Sequence, residues 1–168
     1  MALKQQVQND LTESVKGKEE LRSSVLRLLL SAINNKETEK RTKIWKEKPK
    51  ASVEDLEKES KLTDEEIISV ISSEIKKRRE SIELFGKGGK QEMADKEKKE
   101  MEFLQKYLPE QMSEADLRKL VKEAIAKVGA KEQKDMGRVM AELMPKIKGK
   151  ADGSLISKVV KELLIGQK

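Results

Sequence analysis

The sequence contains no cysteine and no histidine among its 168 residues. These absences exclude disulfides, thiolate nucleophiles, the common zinc sites and any Ser-His-Asp triad. A general base would have to be a lysine, a carboxylate or a tyrosine with a strongly shifted pKa. The sequence therefore predicts a protein with no active site of its own, no metal site and no cofactor.

Aromatic residues are also few: Trp45, Phe85, Phe103 and Tyr107 are the whole set. None lies in the C-terminal part of the chain, beyond Tyr107. Single-stranded RNA is commonly bound by stacking its bases on aromatic rings. If the C-terminal part binds RNA, we therefore expect recognition of backbone and shape rather than of base sequence.

Long apolar runs are missing as well. The most apolar stretch, Val25 to Ile33, is interrupted by Arg27 and is too short to span a bilayer. The first residues lack the apolar core of a signal peptide. We expect a cytoplasmic protein with no membrane partner.

The composition favours helix almost everywhere. Only three prolines and nine glycines interrupt a chain rich in Lys, Glu, Leu and Ala. Apolar residues recur at helical spacing in seven segments, four before Pro109 and three after it. We predict an all-α protein with a four-helix domain over residues 1–109 and a three-helix bundle over residues 110–168.

The apolar pattern fades between residues 42 and 62. Lys48-Pro49-Lys50 breaks any helix, and the predicted second helix ends near Arg41. We expect a mobile, charged connection, with room for a short helix over Ser52–Ser60. The lone Trp45 pins this loop to the nearest helix or, alternatively, contacts a partner.

Capping residues mark two helix starts. Thr63 and Glu66 form the sequence of a capping box, and Ser113 with Asp116 begins the fifth predicted helix. The acidic run at 64–66 is also compatible with a metal site, but acids are favoured at a helix N-terminus by the helix dipole. Capping is the preferred interpretation.

The basic excess is concentrated in the C-terminal part. Residues 110–168 carry 13 basic and 9 acidic side chains, against 24 and 22 in residues 1–109. Within Arg138–Lys161 the count is six against two. Such a surface suits a polyanion such as RNA, although a solvated lysine-rich surface is the simpler alternative.

The candidate RNA-binding residues follow from this distribution. Four are expected around the corner between the last two helices, two on the last helix and two in the N-terminal domain: Arg138, Lys146, Lys148, Lys150, Lys158, Lys161, Arg78 and Arg79. The amides at Asp152-Gly153-Ser154 could hold a phosphate, unless Asp152 caps them itself. Arg78 also lies in register with an apolar stripe, so we expect it to pair with a carboxylate.

Several runs of the sequence resemble the YqeY-like family, which carries the GatB/YqeY domain. These runs are Arg22–Ile33, Glu74–Ile82, Tyr107–Gln111 and Asp135–Gly153. The sequence departs from the family pattern in the lysine-rich stretch at 44–62, which resembles an insertion. It also departs at Gly89-Lys90, where the family usually has Gly-Arg.

The resemblance implies kinship with the tail of GatB, the B subunit of tRNA-dependent amidotransferases. That tail helps to hold tRNA, while the chemistry takes place in other domains. The resemblance therefore implies a non-catalytic, tRNA-related binding module whose partners are tRNA or another structured RNA, or an amidotransferase-like complex. Two alternatives stay open: an adaptor using the Met-rich sixth predicted helix or residues 42–62, and carbon–nitrogen ligase activity, with glutamine as amide donor, within a complex.

Overall fold

A computed structural model describes residues 2–165, and their regular structure is entirely helical, as predicted. The first five helices are α1 (Leu3–Lys16), α2 (Glu20–Glu47), α3 (Val53–Ser60), α4 (Asp64–Lys87) and α5 (Gln91–Gln105). They are followed by α6 (Glu114–Val128), a 3-10 turn (Gln133–Asp135), α7 (Met136–Ile147) and α8 (Gly153–Ile165). The four-plus-three arrangement is not confirmed, because five α-helices precede Tyr107.

Residue contacts divide the chain into two compact units. The first ends at Tyr107 and the second begins at Leu108; we call them the N-terminal unit and the C-terminal unit. Among the residues described, no helix is both long and apolar enough to cross a membrane.

The charged segment after residue 41 is more regular than predicted. The predicted end of the second helix near Arg41 is wrong, because α2 continues to Glu47. The short helix α3 then lies against α2: Leu56 is buried, and Lys48 pairs with Glu59 at 2.8 Å. Trp45 belongs to α2 and is 53% exposed, so it does not pin a loop.

The predicted helix caps are confirmed. Thr63 accepts a hydrogen bond from the Glu66 amide at 3.3 Å, and Glu66 accepts one from the Thr63 amide at 2.8 Å. Ser113 accepts the amide of Asp116 at 3.1 Å. Asp64 has a different role, since its carboxylate accepts the amide of Leu3 at 2.9 Å and so joins the start of α1 to the start of α4.

The N-terminal unit buries charged side chains between its helices. Arg78 of α4 is 8% exposed, and its guanidinium lies 2.9 Å from Glu100 of α5 and 3.7 Å from Glu74. This confirms the predicted carboxylate partner. Glu37 of α2 is similarly buried and holds the ammonium of Lys4 at 2.7 Å. Buried pairs of this kind are costly to break, since either partner alone would be an uncompensated charge.

The core of the C-terminal unit is entirely apolar. It consists of Leu117, Val121, Ala124, Ile125, Ala130, Val139, Leu143, Ile147, Ile156, Val159, Val160 and Leu164. These residues recur at helical spacing on α6, α7 and α8, as the apolar stripes predict. α6 packs against both α7 and α8 more extensively than those two pack against each other. Gly129 ends α6 in the left-handed conformation, with φ of +62°.

Candidate nucleic-acid interface

The corner between α7 and α8 is fixed by backbone hydrogen bonds. Gly149 has a φ of +75°, which turns the chain sharply after α7. The carbonyl of Lys150 accepts the amide of Met112 at 2.7 Å, and the carbonyl of Gly149 accepts the side-chain amide of Gln111 at 2.8 Å. The lysines of this corner therefore project from an ordered backbone attached to the segment before α6.

The three corner lysines differ in their partners. Lys146 pairs with Glu142 at 3.1 Å, and Lys127 of α6 approaches the same carboxylate at 2.7 Å. These two lysines, Lys127 first, lower the pKa of Glu142. Within residues 2–165, Lys148 and Lys150 have no ion pair, and Lys150 is exposed. Their positive charge is not offset by a carboxylate in contact.

The amides at the start of α8 were predicted to hold a phosphate. They already donate hydrogen bonds to a side chain. The carboxylate of Asp152 accepts the Ser154 amide at 2.8 Å and the Leu155 amide at 3.2 Å. Asp152 is therefore the cap of α8, and its negative charge stands where a phosphate would bind. Anion binding in this region must depend on lysine side chains.

The prediction that Arg138 lies at this corner is wrong. Arg138 lies at the opposite end of α7, roughly 15 Å along the helix from Lys148. Its guanidinium donates to the carbonyl of Val128 at 2.7 Å and lies 3.6 Å from Asp135. It thus satisfies a free carbonyl at the end of α6, although most of its side chain stays exposed.

The two lysines of α8 also differ. Lys158 lies 3.9 Å from Glu162, whose carboxylate is held at 2.7 Å by Arg118 of α6. Lys161 is exposed and has no ion pair within the described part of the chain. Exposed ion pairs such as that of Lys158 are weak and exchange readily for another anion.

The two arginines of the N-terminal unit do not form an open basic patch. Arg78 is buried against Glu100, so its charge is not available to RNA, and we remove it from the candidate set. Arg79 is only half-buried, but it takes part in an interaction of its own. The open basic groups of the candidate set are therefore in the C-terminal unit.

Two features of the N-terminal unit were not predicted from the sequence. The first is a groove of about 580 Å³ between α2 and α4, whose lining includes Ala32, Val70 and Leu62. The ion pair between Lys40 and Glu66, at 2.8 Å, spans the two helices there. The apolar residues of the lining are few and widely spaced in the sequence, so no motif marks this groove.

The second feature is a small cleft of about 90 Å³ beside Asp10. Tyr107 donates its hydroxyl to Asp10 at 2.5 Å, and Arg22 lies 3.5 Å from the other oxygen of this carboxylate. Burial and the hydrogen bond to Asp10 raise the pKa of Tyr107. A phenol whose proton is held more tightly is a weaker nucleophile and base at neutral pH. The cleft is therefore a structural connection between α1, α2 and the end of the N-terminal unit.

The sequence as a whole matches a known family model. The model described as "Yqey-like protein" covers residues 4–164. The chain belongs to the YqeY-like family. The resemblance seen in the sequence is thereby confirmed, and the family match includes both units.

A curated relative of this YqeY-like protein is Altered inheritance of mitochondria protein 41, mitochondrial, from Pyrenophora tritici-repentis. The two are 34% identical over 106 residues, which is 61% of this chain and 58% of the relative. The chain thus matches less than two thirds of the relative's length. The relative's name refers to mitochondria and to no reaction.

Proposed function

We propose that this YqeY-like protein is a non-catalytic RNA-binding module whose C-terminal unit holds tRNA or another structured RNA. The observation that carries the proposal is a set of lysines at the α7–α8 corner and on α8 that have no carboxylate partner among residues 2–165: Lys148, Lys150 and Lys161. Phosphate groups are the natural complement of such unpaired ammonium groups.

The rest of the C-terminal unit supports the same proposal. Its sequence contains no aromatic residue, so it lacks the stacking platforms that bind unpaired bases. A folded RNA presents its backbone as a continuous line of phosphates and needs no such platform. We further propose a cytoplasmic protein with a GatB/YqeY-like arrangement of two helical domains, acting alone or beside an amidotransferase-like complex.

Bulk tRNA binding at several salt concentrations tests the proposal. Lys148→Glu/Lys150→Glu is expected to weaken binding at least tenfold, because each lysine would contact a phosphate. Lys119→Glu/Lys122→Glu is the matched control: it changes the charge equally, at two exposed α6 lysines without an ion pair in the described chain. Equal affinities for the two variants would refute the proposed site, and no salt-dependent binding by the wild type would refute the function.

The protein-adaptor alternative has one observation in its favour, the groove between α2 and α4. Binding of a protein partner in this groove should be lost when Ala32→Trp fills it, and should survive RNase treatment.

The amidation alternative makes a separate prediction: the purified chain would release ammonia from glutamine. We expect no ammonia, because the sequence has no cysteine and no histidine, and the hydroxyls of Ser52 and Ser113, which donate to carboxylates, belong to helix caps.

A further inference from the structure

Each of the helices α7 and α8 has one acidic residue, and both acids face α6. On α7, Glu142 binds Lys127 of α6 at 2.7 Å. On α8, Glu162 binds Arg118 of α6 at 2.7 Å. These contacts fix the rotation of both helices. The flank of each helix that lies farthest from α6 therefore carries no carboxylate within α7 and α8.

Helical geometry identifies the residues on these opposite flanks. An α-helix turns by about 100° per residue, so residues on one flank recur every three or four positions. The flank in question lies across the buried stripe from Glu142 on α7 and from Glu162 on α8. Its residues are Gly137, Ala141, Met144 and Lys148 on α7 and at its end, and Ser154, Ser157 and Lys161 on α8. We call this surface the α7–α8 face. It is separate from the ion pairs of the unit, which join α6 to its two neighbours.

The charged members of the α7–α8 face are two lysines, and the carboxylate of Asp152 lies at its edge, beside Ser154. Lys148 and Lys161 have no ion pair within residues 2–165, whereas Lys146 and Lys158 are both held by the acids that face α6. Lys161 lies eight residues into α8, so the two lysines are about 12 Å apart along the bundle. This separation is too large for both lysines to contact one phosphate.

The α7–α8 face carries several short side chains. Gly137 lies within α7 without a positive φ, and a Cβ added there would meet no atom within 4 Å. The fold therefore does not require glycine at this position, although glycine weakens a helix relative to alanine. Ala141 and Ser154 are exposed and short, whereas Met144, which lies between the two lysines along the face, is 38% exposed. A rigid partner can approach α7 closely at Gly137 and Ala141, and α8 at Ser154.

We propose that the α7–α8 face binds the sugar–phosphate backbone of a double-stranded RNA segment, with Lys148 and Lys161 on separate phosphates. This proposal rests on the proposed RNA-binding function and assigns its surface and its ligand class. A duplex fits better than a single strand because the sequence of the C-terminal unit has no aromatic residue on which unpaired bases could stack. Lysines of the unit that are already paired with a carboxylate make weaker contacts with the RNA, or none.

The test compares an RNA duplex of about 16 base pairs with one of its strands, both titrated with the full chain at low salt. The wild type is expected to bind the duplex more tightly. Lys161→Glu is expected to weaken duplex binding roughly tenfold. Ala141→Leu adds bulk without changing charge, and we expect a loss of severalfold. Lys122→Glu on α6 is the charge control and is expected to leave duplex affinity near that of the wild type.

The possible results distinguish this proposal from the more general proposal that the protein binds RNA. If Lys148→Glu/Lys150→Glu weakens tRNA binding while Lys161→Glu and Ala141→Leu leave it unchanged, the α7–α8 face is refuted and RNA binding at the corner stands. If the wild type prefers the single strand, the ligand class is wrong. If no RNA binds at all, both proposals fail. Loss of a purified protein partner on Ala141→Leu, with RNA binding intact, would assign the face to a protein instead.

Discussion

The two units of this protein use their charged residues in opposite ways. In the N-terminal unit, Glu37, Arg78 and Glu100 are buried between helices. In the described part of the C-terminal unit every buried side chain is apolar, and the charged residues lie on the surface. The first unit uses charge to specify its own packing. The second keeps its charged residues on the surface, which is consistent with the proposed binding role.

This contrast has an energetic basis. Removing one member of a buried ion pair leaves a charge in a poorly solvated site, which costs several kcal/mol. Exposed pairs contribute little, because water solvates both partners when they separate. The buried charged residues of the N-terminal unit are thus constrained by folding, while exposed lysines of the C-terminal unit can be changed with little effect on stability.

The largest predicted effect is on the buried pair of the N-terminal unit. Glu100→Ala leaves Arg78 without its closest partner and is expected to lower the free energy of unfolding by about 3–5 kcal/mol. Chemical denaturation followed by circular dichroism measures this, and Trp45 fluorescence reports on the same unit. Replacing both residues, as Arg78→Met/Glu100→Leu, should be less damaging than Glu100→Ala alone. Glu162→Ala in the C-terminal unit is the control, and a comparable loss there would contradict the contrast.

The second prediction concerns the apolar core of the C-terminal unit. Leu143 is fully buried, so Leu143→Ala is expected to cost about 2–5 kcal/mol through lost contacts and a cavity. Met144→Ala, one residue further along α7, is the control because Met144 is 38% exposed. Thermal unfolding of both variants measures the difference. Equal thermal unfolding midpoints for the two variants would mean that Leu143 does not belong to the core.

A smaller effect is expected at Tyr107. Tyr107→Phe removes the hydroxyl that donates to Asp10 and is expected to cost about 1 kcal/mol, since the site is partly solvated. The variant should also change the response to alkaline pH. Burial and Asp10 raise the pKa of Tyr107 from its usual 10.0, so the folded state holds the proton more tightly than the unfolded state. Wild-type stability should therefore decrease more steeply above about pH 10 than that of Tyr107→Phe, and parallel pH profiles would contradict this assignment.

The smallest predicted effects separate two glycines of the C-terminal unit. Gly129 has a φ of +62°, so Gly129→Ala is expected to destabilise the protein by about 1 kcal/mol. Gly137 has helical geometry and open space around it, so Gly137→Ala is expected to stabilise the protein by about 0.5–1 kcal/mol. Urea denaturation of the pair tests both signs. A destabilised Gly137→Ala would show that this glycine serves the fold.

Local patterns in the sequence predict local structure well. The apolar stripes predict the buried residues of the C-terminal unit, and the caps at Thr63, Ser113 and Asp152 are where the sequence places them. The end of α2 was missed because its last turns are charged and lack an apolar stripe. Contacts across space, Arg41 with Ser60 and Lys48 with Glu59, hold the two ends of those turns instead.

Partners that are distant in the sequence could not be predicted. Asp10 and Tyr107 are 97 positions apart, and nothing near either residue indicates the other. The candidate site combines both cases. Arg138, Lys146 and Lys158 have acidic partners only three or four positions away, a spacing that places the two side chains on one face of a helix and could have been read from the sequence. Only the fold shows that Lys127 and Arg118 of α6 hold the carboxylates of Glu142 and Glu162 as well.

The most direct test of the central claim is to map RNA contacts on the full chain by amide NMR during titration with a tRNA-derived duplex. The largest chemical-shift changes are expected on the α7–α8 face, at Gly137, Ala141, Ser157 and Lys161, and they should diminish as salt is added. Changes concentrated in the groove between α2 and α4, or none at low salt, would contradict the assignment of RNA binding to the C-terminal unit.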